Sequence, residues 1–186
     1  MKKYPVDYSS SDTNDLIYPF RIQIEKVIKN LVKKKINAFP VVTLEGPLVQ
    51  ARKFCAGRTN LQISTAIEGF SLMGCPNLQK IMEIAFSELR KNRKIGQKLT
   101  NNLPGQSWHQ WGEAVDFELK TATKKSSENT DILYKNLQIE AEALNLTCGN
   151  SSKKLSRLNH LQLSTLPSPN HSYHFLDKQL LLRFDF

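Results

Sequence analysis

Apolar residues recur along this chain in two rhythms, and the switch between them marks out the elements. Phe20, Ile24, Val27, Ile28 and Leu31 fall three or four apart with lysines between them. Pro19 suits a first helical turn, so an amphipathic helix is predicted to run to about Ile36, its apolar stripe against a core. Phe39-Pro40-Val41-Val42-Thr43-Leu44 is expected to form a short buried strand ending at Glu45-Gly46. Pro47 can open a second helix through Gln50 and Phe54 that Gly57 stops, and Thr59 can cap a third carrying Ile63, Ala66, Ile67 and Phe70. After a turn at Gly74-Cys75-Pro76-Asn77, the residues Leu78, Ile81, Met82, Ala85 and Leu89 predict a longer helix that fades in the basic segment Arg90 to Lys94.

The period then shortens to two. Ala114 to Leu119 alternates so that a strand points Val115, Phe117 and Leu119 into a core and Asp116 to the opposite face. Leu158 to Leu163 alternates again, with Leu161 and Leu163 on one face and His160 and Gln162 on the other. Between these strands Leu133, Leu137, Ala141 and Leu144 predict another helix. Thr121 to Asn129 and Gly149 to Lys154 are polar connections, and Leu166 to Pro169 is a turn before a terminal helix through Leu176, Leu180 and Phe184. The pattern implies an α+β chain with a small, mainly antiparallel sheet and helices packed on one face. No break in composition divides the 186 residues, so a single domain is expected: a loose N-terminal tail and amphipathic helix over 1–38, then a core over 39–186.

Composition narrows the partners. Lysine and arginine outnumber acids by 26 to 17, and the net charge of +9 favours an anionic partner such as nucleic acid, a membrane surface or a cell-wall polymer. Nucleic acid is not expected, because no element interleaves basic and aromatic residues and no reader motif is present. The cysteines Cys55, Cys75 and Cys148 are odd in number and lack C-x-x-C spacing, which argues against a disulfide framework and a cysteine zinc site. Met1-Lys2-Lys3 begins like a signal peptide, but Pro5, Asp7 and Ser9 to Asp12 stand where its apolar core belongs. The chain is therefore expected to be made in the cytoplasm without a secretory signal. No window approaches the ~20 apolar residues of a membrane span.

The candidate chemistry sits in Ser107-Trp108-His109-Gln110-Trp111-Gly112-Glu113-Ala114-Val115-Asp116, which sets an imidazole and a carboxylate around a glycine turn. Catalytic zinc usually takes three ligands from His, Asp and Glu and keeps a position for water. His109, Asp116 and His160 supply that count. His174 also follows a turn, but His160 stands on an alternating strand.

The spacing Ser107-x-His109-x-x-Gly112-x-Ala114-x-Asp116 resembles the motif of the M15 zinc peptidases, the D-alanyl-D-alanine carboxypeptidases and L-alanyl-D-glutamate endopeptidases that cut peptidoglycan stem peptides. Pro47-Leu48-x-Gln50-Ala51-Arg52 with Gly57-Arg58-Thr59 is similar to the family's upstream helix and loop, and Leu103-Pro104-Gly105 to its lead-in. Leu144 to Gly149 looks like the helix end before the last ligand strand, His160-Leu161-Gln162-Leu163 like that strand, and Ser168-Pro169 with Leu182-Arg183-Phe184 like the C-terminal helix. The resemblance covers about residues 39 to 185 and implies a Hedgehog/DD-peptidase-like fold. It further implies Zn²⁺ on His109, Asp116 and His160, and a peptidoglycan or muropeptide substrate hydrolysed by zinc-bound water.

Two positions depart from the family. An acidic general base is implied three residues before the last histidine, where this chain has Arg157, and an arginine after the first strand, where it has Glu45. Because the exchange preserves the pair's total charge, Glu45 is expected to take the proton and Arg157 to stabilise the oxyanion. The alternative is a zinc-binding wall or protein module that has lost catalysis. Ser107 and Gln162 are expected to orient ligands or hydrogen-bond substrate. Trp111 either lines the groove or packs, and Arg58 either pairs with a substrate carboxylate or caps carbonyls. An enzyme of this kind acting on the wall needs an export route like that of lysins or effectors; a cytoplasmic peptidase acting on recycled muropeptides does not.

Overall fold

In chain order the elements are β1 (Tyr4–Pro5), β2 (Ser9–Ser10), α1 (Tyr18–Lys33), β3 (Ile36–Val42), β4 (Leu44–Glu45), α2 (Pro47–Cys55), α3 (Asn60–Leu72), α4 (Pro76–Asn92), β5 (Ala114–Thr121), α5 (Thr130–Glu142), β6 (Thr147–Cys148), β7 (His160–Gln162), α6 (Tyr173–Arg183) and β8 (Phe184–Asp185). The computed structural model describes residues 3–92, 96–121, 130–149, 158–163 and 169–186. Most of the two polar connections, the residues 166–168 of the Pro-rich turn, and Arg157 lie outside the described residues. Six α-helices and a four-stranded antiparallel sheet among the described residues make the chain α+β. Its backbone forms two compact units, Ser10–Leu44 with Trp111–Pro167, and Met1–Ser9 with Glu45–Gln110 and Ser168–Phe186.

The first of these holds the sheet, in the order β3-β5-β7-β6. The apolar stripe of α1 buries Phe20, Ile24, Val27 and Leu31 against Val115, Phe117 and Leu119 of β5 and Leu161 of β7. Leu133, Leu137 and Ala141 of α5 complete this core. Each such side chain contributes roughly 1.5–3 kcal/mol by leaving water. As the alternation predicts, Asp116 stands half-buried on the face away from Val115 and Phe117.

Three boundaries differ from expectation in this unit. The first helix ends at Lys33, because Lys35 turns the chain with φ 61°, and Ile36 starts a strand instead of closing the helix. That strand is only half-buried: Ile36 and Ala38 enter the core, whereas Phe39 and Val41 are exposed, since only one face of β3 is covered. Pro40, which has no N–H to give, is accommodated on an edge strand where the pairing with β5 shifts between Pro40 and Val42. Leu144 lies past the end of α5, in a turn where Asn145 has φ 57° and the Leu144 carbonyl accepts from Gln23 Nε2 at 3.1 Å.

The second unit gathers α2, α3, α4 and α6. Pro47 stands in the first turn of α2, Gly57 follows it with φ 68°, and Thr59 caps α3 in a reciprocal box with Gln62. Phe70, Leu78, Ile81, Met82, Leu176 and Leu180 are buried. Residues 3–12 are not a loose tail. Tyr4 pairs in parallel with Phe184, which belongs to β8 and not to the terminal helix. The carbonyls of Tyr8 and Val6 accept from Gly46 and Leu48 N–H at 2.8 and 2.9 Å, satisfying donors that the start of α2 leaves over. Nothing local in the sequence announces these partners, which lie about forty to 180 residues away along the chain.

Candidate metal centre

His109 is held by a loop that is tied to itself. Gly105 takes φ 91°, and its N–H donates to Gln110 Oε1 at 2.8 Å; Ser107 N–H reaches the same oxygen at 3.4 Å. Gln110 N–H returns to the Ser107 carbonyl at 3.0 Å, and Leu103 N–H donates to Gln106 Oε1 at 2.9 Å. The result is a short 3-10 turn over Trp108–Trp111 with His109 and Gln110 buried. Gln110 is a functional support that the sequence reading missed; its only signal is a polar residue directly beside the candidate ligand.

Asp116 and His160 are brought together by strand pairing. They are direct partners in the antiparallel register of β5 and β7, so their side chains rise from the same face. Phe117 N–H to the Asn159 carbonyl at 2.9 Å and Leu163 N–H to the Glu113 carbonyl at 3.0 Å hold that register. His160 Nδ1 lies 2.7 Å from Asp116 Oδ1, and its Nε2 lies 3.0 Å from Gln162 Oε1. The ring is thus set between the Asp116 carboxylate on one side and the Gln162 amide on the other.

His109, Asp116 and His160 each offer one ligand atom, and these atoms lie within 4.8 Å of one another, so the group could hold a metal ion. Two imidazoles and one carboxylate suit zinc. Ligand atoms about 2.0–2.2 Å from a tetrahedral ion stand about 3.3–3.6 Å apart, so the Asp116–His160 pair would open by less than about 1 Å to share one.

The remaining candidates are placed as follows. Glu45 is buried, and both its carboxylate oxygens accept from Lys53 Nζ at 2.6 Å. Lys53 was not foreseen; it reaches Glu45 from eight residues further along, across the start of α2. Arg58 donates to the carbonyls of Phe54 and Thr100, the latter at 2.7 Å, and lies over the Phe54 ring at 3.7 Å. It thus caps carbonyls, and burial lowers its pKa. Ser107 is buried and Trp111 half-buried. His174 is exposed in the first turn of α6 and His171 is exposed just before it. Burial pushes the Cys55 thiol up to about 11 and the Cys148 thiol up to about 12, so neither is a thiolate nucleophile at neutral pH.

No protein-family model matches the chain, and no curated protein matches it.

Proposed function

We propose that this chain is a zinc metallopeptidase that hydrolyses an amide bond in peptidoglycan stem peptides, as its resemblance to the M15 family implies. The observation that carries the proposal is the convergence of His109, Asp116 and His160, residues chosen by motif and strand parity, on one small volume. The position of Asp116 and His160 on the face of a small antiparallel sheet away from α1 and α5 supports a Hedgehog/DD-peptidase-like fold as the finer reading. Zinc held there would supply Lewis acidity and a water whose pKa falls toward ~7. Gln162 holds His160 by Nε2 and keeps Nδ1 turned to Asp116. Glu45 is the proposed proton acceptor and Arg157 the proposed partner of the developing oxyanion.

A second reading, a zinc-binding module without catalysis, is favoured by one observation: Glu45 already gives both oxygens to Lys53. Metal analysis and digestion of purified peptidoglycan separate the two. The peptidase retains about one zinc per chain and releases new amino termini; the module retains zinc and releases none. Asp116→Ala and His160→Ala are expected to lose the metal, and a wild-type protein that never takes up zinc ends both readings. In the peptidase, Glu45→Gln is expected to keep zinc and lose about 10²–10⁴ in kcat. Full activity in Glu45→Gln would remove it from the mechanism.

A further inference from the structure

The face of α1 turned away from the core carries a pattern that the fold does not use. Tyr18, Ile22, Glu25, Lys26, Lys29, Val32 and Lys33 fall within an arc of about 120° on a helix about 24 Å long. Tyr18 is 68% exposed, Ile22 44% and Val32 54%. Lys26, Lys29 and Lys33 are exposed among them, and none of the three has an ion-pair partner among the described residues. The only acid on the arc, Glu25, is already paired with Arg21 at 3.7 Å. Lysines at a helix C-terminus are explained by the macrodipole, which covers Lys33, Lys34 and Lys35 but not Lys26 and Lys29, one to two turns earlier.

We propose that this face of α1 docks on a bilayer surface rich in anionic phospholipid. A soluble polyanion would ask only for the lysines. Apolar side chains set between lysines on one arc match the headgroup boundary, where lysines meet phosphates and apolar side chains pass below them. The remainder of the helix is committed to the core through Phe20, Ile24, Val27 and Leu31, so docking requires no unfolding. The net charge of +9 adds long-range attraction to the same surface. The inference is independent of the hydrolytic reading, since no residue of the candidate metal centre takes part.

The test is sedimentation of the whole chain with vesicles of phosphatidylcholine alone and of equimolar phosphatidylcholine and phosphatidylglycerol, near 0.1 M salt. The wild type is expected to sediment only with the anionic vesicles and to be released as salt rises. Lys26→Gln, Lys29→Gln and Lys33→Gln together are expected to lower the partition coefficient about a hundredfold. Ile22→Ser with Val32→Ser is expected to lower it about tenfold. Three results overturn the proposal: no sedimentation of the wild type, sedimentation that the triple variant retains, or dependence on the lysines alone, which makes the partner a soluble polyanion. Should a variant fail to fold, the wild type alone decides: sedimentation with the neutral vesicles as complete as with the anionic ones, or binding to the anionic vesicles that high salt does not release, also overturns the proposal.

Discussion

Asp177 does the work of a helix cap from 99 residues away. Its carboxylate accepts from Leu78 N–H at 2.7 Å and from Asn77 Nδ2 at 2.8 Å, in the first turn of α4, where backbone N–H groups have no partner within the helix. The group is buried, so removing it strands a buried N–H donor. Asp177→Ala is expected to cost about 1–3 kcal/mol, read as a fall in the urea midpoint with an unchanged slope. The thiols make a second test at this scale. With Cys55 at about 11 and Cys148 at about 12, both raised by burial from 9.0, the folded chain holds these protons more tightly than the unfolded chain. Their contribution to stability is present below pH ~9 and is lost as the pH rises through the folded values. At pH 8.5 the native protein is expected to react with iodoacetamide at these two cysteines at least about tenfold more slowly than the protein in urea. Equal rates would show that the thiols are not buried.

At the scale of elements, α1 and α5 are joined by polar contacts as well as by the core. Glu140 accepts from Lys34 at 2.7 Å and from Asn30 Nδ2 at 2.8 Å, and its carboxyl is held below the ordinary 4.5, chiefly by the hydrogen bond from Lys34. A depressed carboxyl stabilises the fold above its unfolded value, and the contribution fades as the pH falls through the folded value. The gap in Tm between wild type and Glu140→Gln should therefore be full above about pH 5 and close progressively below 4.5. A gap that persists at pH 2 would assign the effect to packing. The helices themselves were legible because each buries one stripe at a regular spacing, and β5 because its alternation is unbroken from Val115 to Leu119. The start of β3 was not legible. Ile36, five residues after Leu31, falls off the buried stripe of α1, but the turn that separates helix from strand is made by Lys35 at positive φ, a conformation that its residue type does not advertise.

At the scale of the whole molecule, what the sequence conveys depends on whether a contact is local or closes a long loop. Asp116 and His160 were assigned to polar strand faces by parity alone; parity puts them on one face once β5 and β7 are neighbours, and the register that sets them directly opposite comes from the strand pairing. Lys53 on Glu45 and Gln110 under His109 were not legible, because an ion pair or a buried amide leaves no periodic trace. The same limit hid the N-terminal segment, whose partners are Gly46, Leu48 and Phe184. Gly46 is the weak point of that arrangement. A Cβ at this position would overlap the Val6 carbonyl, so only glycine lets the segment lie close enough to take the Gly46 and Leu48 N–H groups. Gly46→Ala should displace residues 6–8, expose those donors and loosen the Tyr4–Phe184 pairing, at a cost of about 2–3 kcal/mol from two hydrogen bonds and a helix start. For a chain of this length that is a fall in Tm of about 4–12 °C. Amide exchange gives the sharper check. Gly46 and Leu48 N–H should lose protection together in the variant, while the amides of β5, which share no partner with the segment, keep theirs. Uniform loss across both sets would mean that the N-terminal segment is not the element Gly46 serves.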